Sequence, residues 1–251
     1  MDYDRLMKPY WDEQIGRVAK LRETIVARGD AVEQGRVVPE ATDLVIGTGR
    51  QLDMAVMFLD LCGFSARPSE TLQEQDMLLR VLNLFFTEMI KIAEEYGGVV
   101  EKNTGDGLMA YFNDGEGIPP ENGCKRAITC ALTMMFANAH LINPIIRASN
   151  MEEFKFRIGI DYGKVTVSQL GAARRFGSLV AIGTRANIAC KMLNVASENE
   201  IVIGESVKLQ LPLDWQANYV RLKQEQSGWT YRATGAPYRY YLYHGRWNQP
   251  Q

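Results

Sequence analysis

Two aspartates stand where a charge needs a reason. Asp60 follows the apolar run at residues 55–59 in "AVMFLDLCGFS", and Asp106 sits in "VVEKNTGDGLMAYF", where two short strand patterns flank an Asp-Gly step that signals a tight hairpin. If those strands are neighbours, both carboxylates meet on one rim of a sheet. Hard oxygen ligands of this kind suit Mg²⁺ or Mn²⁺ held against phosphate oxygens, where two ions act together on an attacking hydroxyl and a leaving phosphate. The same residues also have a purely structural reading, because Asp at a strand end and Asp-Gly in a hairpin are common turn chemistry. Other metal chemistry is poorly provided for. The chain has only His140 and His244, and Cys62, Cys124, Cys130 and Cys190 form no C-x-x-C pair, so a metal here would be held by carboxylates.

The elements that must position these groups follow from periodicity. The 251 residues carry 28 basic and 30 acidic side chains, so no global field would hold nucleic acid or an anionic membrane. There is no run of 18 apolar residues and no signal-peptide core at the N-terminus, which predicts a soluble, cytoplasmic protein. Residues 1–50 read as a helical N-terminal arm and connector, with an apolar stripe at Ile15, Val18, Leu21 and Ile25; residues 51–251 read as the main domain. Within it, "MAVMFLDL" is a buried strand, and a long helix follows with Ser69 as its cap and Gly97-Gly98 as its stop. "CKRAITCALTMMFANAHLI" is a further helix. "FKFRIGIDYG" and "KVTVSQLG" read as a hairpin, "LVAIG" as a strand, "TRANIACKMLNVAS" as a helix, "EIVIGES" as a strand and "TYRATGAPYRYYLYH" as edge strands. The interleaving is too irregular for a doubly wound sheet and predicts an α/β (α+β) sandwich with mixed strand pairing. Cys62 reads as a small packed residue, since no lysine or histidine stands next to it in sequence to activate a thiolate.

Four blocks in order, "VMFLDLCGFS", "LNLFFTEMIKIAEEYGGVVEKNTGDGLMAYF", "FRIGIDYGKVTVSQLG" and "IGTRANIACKMLNVA", resemble the signature blocks of the class III nucleotide cyclases over about residues 54–245. The resemblance implies a ferredoxin-like catalytic fold acting as a homodimer, with sites between two chains that convert a nucleoside triphosphate to a 3′,5′-cyclic monophosphate and pyrophosphate. It implies that Asp60 and Asp106 hold two Mn²⁺ or Mg²⁺ ions, with the Leu61 carbonyl as a further ligand. Backbone N–H groups of the loop at Phe64, at a helix start, would meet phosphate oxygens. Asn187 would orient the ribose. Four positions on, the family's transition-state arginine is here Lys191, which lacks the guanidinium fork, so Arg185, Arg174 or Arg175 could assist. Arg232 falls about where the family keeps a basic residue for the terminal phosphates.

In the purine cyclases, a lysine four residues before the second metal aspartate and an acidic or hydroxyl residue seven before the asparagine read adenine together. Lys102 is present, but the second position is Val180, and the guanine-reading pair is absent as well. Without an acceptor, an exocyclic amino group loses a hydrogen bond it makes in water, a penalty of about 1–3 kcal/mol. Uracil has no such donor at that edge. The pattern is most similar to the pyrimidine cyclases of the bacterial anti-phage Pycsar system, with UTP favoured over CTP and a product read by a separate cyclic-nucleotide effector. The alternatives are an adenylate cyclase, suggested by Lys102, and an inert cyclase-like nucleotide-binding module, suggested by Lys191.

Overall fold

The computed structural model of the chain describes residues 6–27, 49–103, 105–114, 122–170 and 178–249. Among them, eight strands form one mixed sheet in the order β2-β3-β1-β4-β6-β8-β7, with β5 paired to the far end of β4. The strands are β1 (Gly49–Leu61), β2 (Val99–Asn103), β3 (Gly107–Asn113), β4 (Phe156–Leu170), β5 (Ser178–Ile182), β6 (Ile201–Gly204), β7 (Val220–Gln224) and β8 (Tyr240–Tyr243). All pairings are antiparallel except β4 with β6. This is the mixed-sheet α+β fold expected from the sequence.

β1 lies at the centre because both of its faces are apolar. Ala55, Met57, Leu59 and Leu61 join the larger core beneath α2 (Leu72–Glu95) and α3 (Gly123–Ala137), while Met54 and Val56 join a second cluster beneath α5 (Thr184–Met192). Each fully buried Met, Val or Leu of this strand contributes roughly 1.5–3 kcal/mol, which makes it a costly one to displace. A short π-helical segment, Asn138–Ile142, joins α3 to α4 (Asn143–Ala148). The continuous helical run Gly123–Ala148 is long and apolar enough by composition to cross a bilayer, but two thirds (67%) of its most apolar 18 residues are buried within the domain. Its apolarity is that of a core helix.

Several boundaries differ from the sequence reading. The cap of α2 is Thr71 rather than Ser69: Thr71 Oγ1 accepts from the Glu74 N–H (3.2 Å), and Glu74 Oε2 accepts from the Thr71 N–H (2.9 Å). Only Thr71 has a glutamate three residues later to close this reciprocal box. The helix stops as expected, with Gly97 at φ 69°. The expected hairpin at 154–170 is instead the single strand β4. Gly163, at φ 148°, lets the chain bend while its ladder with β1 continues without a break from Leu61↔Phe156 to Gly49↔Ser168. At the C-terminal end β8 is an interior strand, with Tyr240, Tyr241 and Tyr243 buried, and the edge is β7, whose Arg221 and Leu222 face solvent.

The N-terminal helix α1 (Lys8–Ala27) packs on α2 through Gln14 and Val18 and on α3 through Trp11, whose ring meets Phe136 edge-on, while Ile15, expected in the apolar stripe, is 41% exposed. Arg17 bridges the two helices. Its Nη2 and Nε meet Glu88 at 3.1 and 3.2 Å, and its Nη1 meets Glu95 at 2.8 Å. The connector after α1 and the loop bearing Arg174 and Arg175 lie outside the described residues.

Candidate active site

The β1–β3 pair sets the geometry of the aspartate rim. Asp60 faces Gly107 in the ladder, and the Leu61 N–H donates to the carbonyl of Asp106 at 2.8 Å, so both aspartates belong to the same end of two hydrogen-bonded strands. Gly105 at φ 94° places residues 105 and 106 in a bend, which frees Asp106 from the strict face alternation that begins at Gly107. The side chain of Leu61 is buried in the core and anchors the rim, leaving only its backbone for any ligand role. Asp60 Oδ2 accepts from Arg157 Nε (2.9 Å), and Arg157 Nη2 lies 2.8 Å away, while the Asp106 carboxylate has no hydrogen bond or ion pair among the described residues. Asp60 Oδ1, the Asp106 carboxylate and the Leu61 carbonyl are hard donors. Among the described residues no cluster of three or more His, Cys, Asp or Glu side chains exists to wrap an ion. Such a two-carboxylate rim fits Mg²⁺ or Mn²⁺, which complete their coordination with substrate phosphates and water.

The loop that follows was expected to start a helix at Phe64. It is a single 3₁₀ turn, Phe64–Ala66, entered through Gly63 at φ 65°, and the Phe64 side chain packs partly against the core. Cys62 next to it is half-buried, and its thiol pKa is raised chiefly by burial, as suits a packed residue.

On α5, Asn187 and Lys191 are both exposed and stand one turn apart on the same face. Lys191 Nζ lies 4.9 Å from the centroid of the Trp229 ring. Arg185 is directed elsewhere. Its Nη1 is 3.4 Å from Asp161 Oδ2, and its guanidinium lies 5.3 Å from the centroid of the Tyr238 ring. Asp161 is wholly buried; Tyr238 Oη donates to its Oδ1 at 2.6 Å. Burial raises the Asp161 carboxyl to about 6, against the opposing pull of Arg185 and the Tyr238 hydrogen bond. This network seats the first turn of α5 on the sheet. Its last turns are seated by close approach, since a Cβ at Gly159 would collide with the Ala189 carbonyl.

Arg185 and Arg232 come together in one cavity of about 560 Å³, which Lys164, Trp229, Tyr231 and Tyr238 also line. Three cations around one hollow suit an anionic ligand. Lys102 lies in β2 opposite Met109, and Val180 in β5 opposite Ser168; their side chains are outside the described residues, but β2 and β5 approach within 8 Å between Cα atoms. No hydrogen bond or ion pair among the described residues links Asn187 or Lys191 to Asp60 or Asp106.

Sequence reasoning missed Asp161, Lys164 and Trp229. Asp161 did carry a signal, the same one that exposed Asp60: a carboxylate at the end of an apolar strand pattern, "FRIGID".

Comparison with known proteins accords with the fold. Residues 48–236 match the family described as the adenylate and guanylate cyclase catalytic domain. The chain is 26% identical over 145 residues to a cytidylate cyclase of Staphylococcus aureus, covering 57% of this chain and 34% of that protein. It is 26% identical over 181 residues to an adenylate cyclase of Anabaena cylindrica, covering 68% and 33%. The chain thus spans about a third of the length of these curated relatives. Among solved structures, the guanylyl cyclase Cya2 superposes with a TM-score of 0.64 at 20% identity, over 80% of this chain and 96% of that one. The adenylyl cyclase CyaB from P. aeruginosa gives 0.61 at 25% identity, over 81% and 99%.

Proposed function

The chain belongs to the adenylate and guanylate cyclase catalytic-domain family, the class III nucleotide cyclases, and from that premise we propose that it cyclises a pyrimidine nucleoside triphosphate, UTP in preference to CTP. The products are the 3′,5′-cyclic monophosphate and pyrophosphate. The observation that carries the reading is the β1–β3 register, which brings Asp60 and Asp106 to one rim.

Two Mg²⁺ or Mn²⁺ ions, when bound, supply neutralisation of the triphosphate and acidification of the ribose 3′-hydroxyl. Asp60, Asp106 and the Leu61 carbonyl hold them, and Arg157 fixes the Asp60 carboxylate in place. Asn187 orients the ribose, and Lys191 places positive charge where it develops on the α-phosphate. Arg232, with Arg185 and Lys164 beside it, receives the terminal phosphates in the cationic cavity. Displacement at phosphorus depends on positioning and charge compensation more than on covalent help, and these groups offer both. Arg185 is held by Asp161, so Lys191 is the cation on the Asn187 face of α5. That no polar link among the described residues joins that face to the aspartate rim supports a homodimer in which each chain supplies one half of a site.

For the base, identity does not choose, since the cytidylate and adenylate cyclase relatives are equally distant. Val180 does: it offers no acceptor to an exocyclic amine, which disfavours adenine and cytosine and leaves uracil, whose carbonyls suit Lys102. The cyclic nucleotide then serves as a cytoplasmic second messenger in anti-phage defence, read by a separate effector.

The test is incubation of the purified protein with each of the four triphosphates and Mn²⁺, with products identified by mass spectrometry. Cyclic UMP as the main product is expected. Cyclic AMP alone would overturn the base assignment, and no product with any triphosphate would leave an inert binding module.

A further inference from the structure

An exposed lysine samples many rotamers, and its ammonium has no planar fork with which to meet a phosphate in one orientation. Lys191 is not left in that state. Its Nζ lies 4.9 Å from the Trp229 ring centroid, close enough for the negative face of the indole to restrain the cation. Trp229 is itself fixed. Its ring packs beside the Ile188, Met192 and Tyr238 cluster, its backbone N–H donates to Ser227 Oγ at 3.3 Å, and its backbone carbonyl accepts from the Tyr238 N–H at 2.7 Å. Thr230, the next residue, is bridged to Pro237, which closes the segment into a short hairpin. Trp229 also lines the cavity that contains Arg185 and Arg232.

We infer that Trp229 is a positioning residue, whose rigid indole holds the Lys191 ammonium beside the cationic cavity so that a lysine can present its charge to the reacting phosphate from one place. The inference rests on the reading of Lys191 as the phosphate-facing cation. It assigns Trp229 no hydrogen bond or ion pair with substrate, only a place in the cavity wall. What it does require is that loss of the aromatic face disperse the lysine and slow the chemical step while substrate binding holds.

The experiment labels the lysines of the full chain by reductive ¹³C-dimethylation, which keeps their charge, and assigns the Lys191 signal with Lys191→Arg. In the parent protein that signal is expected upfield of the bulk lysines through the ring current of Trp229. It should collapse to the bulk position in Trp229→Leu and persist in Trp229→Phe. Turnover should fall about tenfold in kcat for Trp229→Leu with KM within about twofold, and stay within about threefold for Trp229→Phe. A bulk-position signal in the parent, or an unchanged kcat in Trp229→Leu, overturns the inference. If the parent turns over none of the four triphosphates, the functional reading fails separately. The label still decides: movement of the Lys191 signal on adding a non-cyclisable UTP analogue supports the positioning role, and its absence overturns it.

Discussion

Replacing Asp161 by asparagine should change how stability depends on pH, by an amount that follows from its surroundings. The carboxyl is wholly buried and faces Arg185 from α5, Tyr238 from the segment before β8 and the Gly204 end of β6. Burial disfavours its charged form more than Arg185 and the Tyr238 hydroxyl favour it, so the pKa rises from 3.8 to about 6 in the folded protein. Below about pH 3 both folded and unfolded chains hold the proton. As the pH rises, the unfolded chain releases it first and is stabilised, and the folded chain follows only near pH 6. The native state therefore loses about 3 kcal/mol of stability from this group between about pH 3 and 7, and nothing further above that. Asparagine does not titrate. Urea unfolding of both proteins across this range, at one protein concentration, gives their difference in stability, from which the other titrating groups cancel. The difference should move by about 3 kcal/mol in favour of Asp161→Asn as the pH rises. A difference constant within about 1 kcal/mol, or one moving the other way, would refute the account of how this network is balanced.

The aspartate rim predicts that Asp60→Asn and Asp106→Asn each lower kcat at least ~10²-fold, while stability changes by less than about 1 kcal/mol, since the Arg157 pair is partly exposed. Mn²⁺ titration of turnover and urea melts of the same samples check both halves of that statement. Lys191→Arg should raise kcat by about fivefold, the effect of one further charge-assisted hydrogen bond of about 1 kcal/mol, and an equal or lower kcat in steady-state assay would count against the assigned role. Val180→Asp supplies the missing acceptor, so competition assays should show CTP gaining on UTP by about 5–100-fold. Arg17→Ala leaves Glu88, whose pKa is already raised by burial, without its cation, and should cost about 3 kcal/mol, or roughly 6–10 °C in Tm by calorimetry. The Arg17→Met, Glu88→Met pair should regain most of that loss.

What could be read from the sequence was local, and what could not was long-range. β1 announces itself because five apolar residues in succession need two covered faces, and the Asp-Gly step places Asp106 at a turn whatever surrounds it. The α2 cap was misplaced because serine and threonine serve equally well until the partner three residues on is considered. β4 was read as a hairpin because Tyr-Gly-Lys looks like a turn. Its extended course is imposed by β1, a strand a hundred residues earlier, through Met54↔Gly163 and its neighbours. Asp161 shows the same limit more sharply. Its partners are 24 and 77 residues away, and no spacing rule foretells that a tyrosine and an arginine will meet one buried carboxylate. Lys102 and Val180 carry the base argument as residue types at matched positions, and their backbone places them on strands that approach each other.

Within the proposed homodimer, these anchors also bear on how activity can be controlled. The aspartate rim is tied to the central ladder and to Arg157, and α5 is tied at one end by Asp161 and at the other by the close contact at Gly159. Neither half can be reshaped without breaking buried contacts, each costing on the order of 1–3 kcal/mol. The approach of one rim to the other chain's α5 is under no such constraint, because no hydrogen bond or ion pair among the described residues fixes it within one chain. Reshaping either half means breaking several of these contacts at once, whereas a signal of a few kcal/mol is enough to shift an equilibrium between two dockings. Control should therefore act on how the two chains meet, and an activated state should differ from a resting one in the spacing between subunits while each subunit keeps its fold.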